Sequence, residues 1–142
     1  MGCGCTATSG LNNYENGTIL VVDDEPLLRT MLDTMLRSFG FTVITASSGE
    51  TGCLLFDTEP YRFSLVILDK VIPGMGSEAT FRRLRAVRPD VKILLMSGYG
   101  DGWQEPEVEG LSAFLRKPFT SVQLREEIRT LMVAGAAVRP DR

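Results

Sequence analysis

Ile19-Leu20-Val21-Val22, followed at once by Asp23-Asp24-Glu25-Pro26, is the stretch on which the reading of the fold turns. Four consecutive apolar residues leave no polar face, which is the pattern of a strand covered on both sides. The run stops at three acids. Pro26 suits the first turn of a helix, because its missing N–H would have no partner there anyway. Leu27, Met31, Met35 and Phe39 then recur every four residues, with Leu28, Leu32 and Leu36 beside them. That is one broad helical stripe, and Gly40 ends it.

Outward from this unit the pattern repeats. Phe41–Ala46 reads as a strand with Val43 and Ile44 inside it, and Ser48 caps a helix running to about Thr58. Phe63–Leu68 is a third strand ending at Asp69, and Val71–Gly76 is a loop. Ser77 caps a helix through about Arg88, closed by Pro89. Val91–Met96 is a fourth strand ending at Ser97-Gly98, and Leu111–Leu115 a fifth ending at Lys117-Pro118. Thr120 and Gln123 make a capping box for a last helix with Leu124, Ile128 and Leu131 on its apolar face. Between the last two strands, Gly100–Gly110 holds Pro106, three glycines and four acids, so any helix there should be short and mobile. Residues 1–17 and 135–142 read as tails around one domain over 18–134. Five strands alternating with helices imply an α/β domain, a parallel sheet wrapped on both faces.

Composition narrows the function. A chain of 142 residues, 44% hydrophobic and 23% charged, has the size and balance of one globular domain that buries a core without staples. A net charge of −3 gives no footing for nucleic acid or an anionic membrane surface. No segment has the roughly 18 apolar residues of a membrane span, and no signal-peptide apolar region follows the start. Cys3, Cys5 and Cys53 make no disulfide framework and suit a reducing cytoplasm. Cys3-x-Cys5 lacks a second ligand pair, and Met1-Gly2-x-x-x-Thr6 matches only a short myristoylation pattern; both fall in the N-terminal tail. Histidine is absent, so no reaction here uses a His base, nucleophile or ligand. If phosphoryl chemistry occurs, the donor histidine lies on another protein.

In open α/β sheets, ligands bind beyond the carboxyl ends of the strands. Four strands here end in polar groups of complementary kinds: Asp23 and Asp24, then Asp69, then Ser97, then Lys117. Converging carboxylates repel one another and raise at least one pKa, and a hard divalent cation such as Mg²⁺ relieves that repulsion. One carboxylate can then attack phosphorus, while the metal and Lys117 neutralise charge on the phosphoryl oxygens. Taken singly, Asp24 or Glu25 is an ordinary helix cap, Asp69 a loop residue, Ser97 nearly uninformative and Lys117 a solvated charge. Their place at successive strand ends sets them apart. Adjacent strand residues point to opposite faces, so Asp23 and Asp24 share a site only if the chain bends after them, as Pro26 suggests.

Val21-Val22-Asp23-Asp24-Glu25, Leu68-Asp69-x-x-Ile72-Pro73-x-Met75, Met96-Ser97-Gly98-Tyr99 and Phe114-Leu115-Arg116-Lys117-Pro118-Phe119 closely resemble response-regulator receiver domains of two-component signalling, over roughly Thr18 to Val133. The resemblance implies a flavodoxin-like (βα)5 domain with the family's known sheet order, 2-1-3-4-5. It implies Asp69 as phosphoacceptor. Asp24, Asp69 and the Val71 backbone carbonyl would ligate Mg²⁺ (or Mn²⁺), with Asp23 helping through water. Ser97 matches the switch hydroxyl, Lys117 the phosphoryl-binding lysine and Phe114 the switch aromatic, with a cis bond at Lys117-Pro118. A plain core phenylalanine is the rival reading of Phe114. The output face would be the fourth helix, fifth strand and fifth helix.

The implied partner is a sensor histidine kinase or histidine phosphotransfer protein in a bacterial cytoplasm. The implied activity is a switch that catalyses its own phosphorylation and dephosphorylation, with phosphorylation-dependent dimerisation left open. The Leu95–Tyr99 and Lys117–Thr120 forms look most like receivers of hybrid sensor kinases, and only about nine residues follow Val133, so no DNA-binding module is expected there. The sequence departs from the family pattern at Lys70, where an apolar residue is commoner, and at Gly76-Ser77, where a small or acidic residue followed by Gly is usual. Two other readings compete. A haloacid-dehalogenase-type phosphohydrolase would need a second Asp two residues after the nucleophile, where Val71 stands. A phosphate-independent binding module of the same fold would not need the complete set of acids, hydroxyl and lysine. A nucleotide site would need a Gly-rich loop after the first strand, and none is present.

Overall fold

The computed structural model describes residues 17–98 and 111–138. Most of the N-terminal tail, with Cys3 and Cys5, lies outside them, as do Tyr99 and the expected weak helix at Gly100–Gly110. Five parallel strands form one sheet in the order β2-β1-β3-β4-β5. They are β1 (Thr18–Val22), β2 (Thr42–Ala46), β3 (Phe63–Asp69), β4 (Ile93–Ser97) and β5 (Ser112–Arg116). The helices among the described residues are α1 (Pro26–Ser38), α2 (Gly49–Thr58), α3 (Ser77–Val87) and α4 (Ser121–Val138), with a 3-10 turn at Pro60–Arg62. The expected fold class and strand order are those observed.

The sheet separates two apolar layers, and alternation along each strand decides which residue enters which. Ile19, Val21, Leu65, Ile67, Leu94 and Met96 point toward α1 and α4, where Leu32, Leu36, Leu124, Ile128 and Leu131 meet them. Leu20, Val22, Val66, Leu68, Ile93 and Leu95 point the other way, against Cys53 and Phe56 of α2 and Phe81 and Leu84 of α3. Each of these side chains contributes on the order of 1.5–3 kcal/mol when fully buried. The sheet is therefore rigid where its carboxyl edge must hold polar groups in place.

The ends of the helices follow their capping residues. The Gly40 N–H donates to the Arg37 carbonyl and the Phe41 N–H to the Leu36 carbonyl, both closing the Schellman pattern that ends α1. Gly40 sits at φ 103, a conformation that costs a residue with a Cβ about 1–2 kcal/mol. Ser48 caps α2 by accepting from the Thr51 N–H. The capping box of α4 is formed both ways, Thr120 N–H to Gln123 Oε1 at 2.9 Å and Gln123 N–H to Thr120 Oγ1 at 3.1 Å.

Two local expectations change. Ser77 is the first residue of α3 rather than its cap; Gly76, at φ 87, takes the cap position. The Ser77 hydroxyl instead donates to the Lys70 carbonyl. The chain also remains helical through Val138, where a tail was expected from Gly135. One glycine inside a helix costs only about 1 kcal/mol, too little to end an established one. Among the described residues, no helix is long and apolar enough to cross a membrane.

Candidate phosphoacceptor site

β1 delivers two acids to the same place because the chain turns immediately after it. The Glu25 N–H donates to Asp23 Oδ1 at 2.8 Å, a local turn that leaves both Asp23 and Asp24 facing the end of β3. The Asp23 N–H stays tied to the Ala46 carbonyl at 3.1 Å, and Arg29 Nη1 donates to the Asp23 carbonyl at 2.8 Å. One carboxylate oxygen from each of Asp23, Asp24 and Asp69 falls within 4.8 Å of the others. The bend that the sequence required is present.

Asp69 closes β3 and is nearly buried, 4% exposed. Its Oδ1 accepts from the Val71 N–H at 3.1 Å. Its Oδ2 accepts from Lys117 Nζ at 3.0 Å, across the strand ends and 48 residues away in sequence. The Lys117-Pro118 bond is cis, as the resemblance implied. Lys117 is further fixed by its N–H, which donates to the Ser97 carbonyl at 2.8 Å. Ser97 itself ends β4 half-buried, and Phe114, half-buried on β5, packs against the layer that faces α2 and α3. Asp24, Glu25, Asp69, Val71, Gly98 and Lys117 line an open hollow of about 400 Å³ at this edge.

The electrostatics match the crowding. Burial, opposed by the Glu25 N–H and reinforced by the charge of Asp69, raises the Asp23 carboxyl to about 6. Burial acts to lower the Lys117 ammonium, but the hydrogen bond and charge of Asp69, with Asp23 and Glu25 adding to them, leave it raised. Asp23 Oδ2 is buried with no hydrogen-bond partner among the described residues. An orphaned carboxylate oxygen beside two further carboxylates is a hard-oxygen donor set that fits Mg²⁺ or Mn²⁺.

Sequence reasoning missed two contributors. Glu50, on α2, accepts from the Met75 N–H at 3.0 Å and so ties down the loop that carries Val71. Its signal, a lone acid on an amphipathic helix, is indistinguishable from surface charge. Glu25 reads in the sequence as an ordinary helix cap; it does hold the cap position of α1, but it also lines the hollow.

An open α/β sheet with an acid triad and a lysine converging at its carboxyl edge defines the class: a doubly wound domain with a charged site where ligands of such sheets bind. A sequence profile for the "Response regulator receiver domain" matches residues 19–129, and the chain belongs to that family. It is 36% identical over 118 residues to the "Probable transcriptional regulator ycf27" of Pyropia yezoensis, covering 80% of this chain and 46% of that protein. It is 28% identical over 116 residues to "Sporulation initiation phosphotransferase F" of Bacillus subtilis (strain 168), covering 80% and 92% of the two chains. Among solved structures, the receiver domain of the hybrid histidine kinase CckA superposes with a TM-score of 0.70 at 26% identity, covering 82% of this chain and 99% of that one. The chain spans about half the length of the transcriptional regulators that it matches. It is a receiver domain of two-component signalling.

Proposed function

We propose that Asp69 accepts a phosphoryl group from a phosphohistidine on a sensor histidine kinase or histidine phosphotransfer protein, and that this switches the surface around β5. The observation that carries the reading is the Asp69 carboxylate itself. It is buried, paired to Lys117 Nζ at 3.0 Å, clustered with Asp23 and Asp24, and lines the hollow.

In this reading an Asp69 oxygen attacks phosphorus in line with the departing imidazole nitrogen. Lys117 stays within reach of the phosphoryl oxygens and supplies positive charge where negative charge accumulates. Asp24 and Asp69, with the Val71 backbone carbonyl, would hold a divalent cation directly, and Asp23 would do so through water. That cation supplies charge neutralisation for the phosphoryl group. Ser97, at the adjoining strand end, would donate its hydroxyl to a phosphoryl oxygen. Phe114 would respond as its neighbour on β4 moves, carrying the change to β5 and α4. The helix expected to complete that face falls within the residues outside the described ones.

A protein donor suits the rim. A second hollow of about 490 Å³ shares Glu25 and Lys117 with the first and is otherwise lined by Leu28, Met31, Pro118 and Phe119. Leu27 beside it is 83% exposed. An apolar apron adjoining a charged centre is what a docked helix of another protein covers. Labelling with phosphoramidate and Mg²⁺ tests the reading: wild-type protein should gain one phosphoryl group, and protein that gains none ends it.

Two further outcomes follow from the site. Val71 is 61% exposed at the rim and carries no group to orient an attacking water. The acyl phosphate should therefore persist for minutes or longer after the donor is removed; decay within seconds would contradict this. The second concerns pH. Asp23 titrates near 6, so below that value it holds a proton that metal binding must displace. Mn²⁺ affinity, measured calorimetrically, should climb up to tenfold per pH unit below about 6 and level off above 7. Without metal the sign reverses for stability. The folded state holds the extra proton, so stability falls as pH rises from the usual aspartate range to about 6 and is then flat. An affinity that does not change between pH 5 and 7 would show that Asp23 is no part of the cation site.

A further inference from the structure

Lysine is among the residues least often buried, and when it is buried its ammonium has been given something to do. Lys70, the residue immediately after the phosphoacceptor, is only 5% exposed. Its Nζ lies 5.5 Å from the centroid of the Phe114 ring, within the ~6 Å range of a cation–π contact. Alternation along the strands explains the encounter. Val66 and Leu68 belong to the layer that faces α2 and α3, and Lys70 continues the same side of β3. Leu68 pairs with Leu95, and Leu95 pairs with Phe114, so the ring lies two strands across on that same side.

The backbone at this position is anchored. The Lys70 N–H donates to the Met96 carbonyl at 2.8 Å, and the Lys70 carbonyl accepts from the Ser77 hydroxyl. The strand end is therefore held in register, and movement at this position falls to the side chain. An apolar residue at this position would let Phe114 pack without regard to charge. A buried ammonium cannot be indifferent, because Coulomb forces are least screened where water is excluded.

We propose that Lys70 is a positioning residue that couples the orientation of Phe114 to the charge carried by Asp69. The coupling rests on the assignment of Asp69 as phosphoacceptor; the resting contact between Lys70 and Phe114 does not. A phosphoryl group adds a charge of about −1.5 to −2 and three acceptor oxygens on the residue that immediately precedes Lys70. The ammonium is then drawn from the ring face toward the new anion, and Phe114 loses the contact that held it. No covalent bond is made or broken in this step.

The test uses the whole chain, by NMR, with ring-labelled phenylalanine and Phe114 assigned from Phe114→Leu. In resting wild-type protein the Lys70 ε-methylene protons should be shifted upfield by the ring, and the shift should vanish in Phe114→Leu. Unshifted protons in wild-type protein would overturn the contact. On phosphorylation with phosphoramidate and Mg²⁺, the Phe114 signals should move in wild type and in Lys70→Arg, which keeps the cation. In Lys70→Met, at equal phosphorylation measured by mass, they should move less than half as far. Equal movement in Lys70→Met would overturn the coupling. So would loss of labelling in Lys70→Met, which would place Lys70 in phosphoryl binding instead. Wild-type protein that takes no label would end the receiver mechanism and the coupling together, while the resting contact would still be read from the Lys70 protons. Phe114→Leu and Lys70→Arg keep the contact testable if Lys70→Met fails to fold.

Discussion

Asp69→Asn should lose phosphoramidate labelling by at least about a thousandfold, the scale on which removing a nucleophile acts. The substitution is close to isosteric, so the loss is chemical. An amide oxygen lacks the charge to attack phosphorus, and its nitrogen has no available lone pair. The fold should survive. The Asn side-chain oxygen can still accept from the Val71 N–H, which now serves Oδ1 at 3.1 Å. Lys117 loses its closest anion but keeps Asp23 and Glu25 as neighbouring negative charges. Its side chain is 28% exposed, so water takes up much of the difference. Asp23 supplies an internal control. Burial is the largest cause of its raised pKa and the Asp69 charge a smaller one. In Asp69→Asn its titration should therefore move down but stay above the ordinary aspartate range. Equal label on wild type and Asp69→Asn, measured by intact mass, would remove Asp69 from the reaction altogether.

Much of this arrangement was legible before the structure, for a physical reason. Ile19–Val22 and Leu65–Leu68 are wholly buried, so every residue there must be apolar, and the first polar residue marks the strand end. Strand ends in a parallel sheet share one edge, so Asp23, Asp69, Ser97 and Lys117 could be placed together from one-dimensional information alone. The resemblance to receiver domains added roles and the cis bond; it did not create that convergence.

What was not legible depends on angle or on distance along the chain. Leu27, Met31, Met35 and Phe39 were read as part of a buried stripe. A step of four residues on a 3.6-residue helix drifts by about 40° each time. The row therefore meets the core only toward its end: Leu27 is 83% exposed and Met31 38%, while Met35 and Phe39 pack against the core beside the fully buried Leu32 and Leu36. Glu50 reaches Met75 across 25 residues, and no local pattern announces such a contact. Ser77 had the chemistry of a cap, but Gly76 at φ 87 turned the chain one residue earlier and released the hydroxyl for Lys70. Lys70 itself was visible only as a departure from the family pattern. That it is buried over Phe114 needed coordinates.

Lys117→Ala should separate two properties that a general loss of structure would move together. Phosphoryl labelling should fall by about a hundredfold to a thousandfold, the usual effect of deleting one preorganised donor to a developing anion. Binding of Mg²⁺ or Mn²⁺ in the absence of phosphate should instead become tighter by several fold. Lys117 Nζ lies 3.0 Å from Asp69 Oδ2, and it competes with any divalent cation for that carboxylate. Removing a unit charge that close, even at an effective dielectric of about 20, deepens the negative potential appreciably. Lys117→Arg keeps the charge but replaces a compact ammonium by a wider, planar fork, so labelling should recover only in part. Stability carries a third signature. The raised pKa of Lys117 means that its pairing with Asp69 is fully present at neutral pH and is lost only above the ordinary lysine range. The stability gap between wild type and Lys117→Ala should therefore be constant from pH 7 to 9 and narrow at higher pH. Weaker Mn²⁺ binding in Lys117→Ala, by calorimetry at pH 7.5, would mean that the ammonium organises the acidic cluster instead of competing for it, and the electrostatic account of this edge would have to be redrawn.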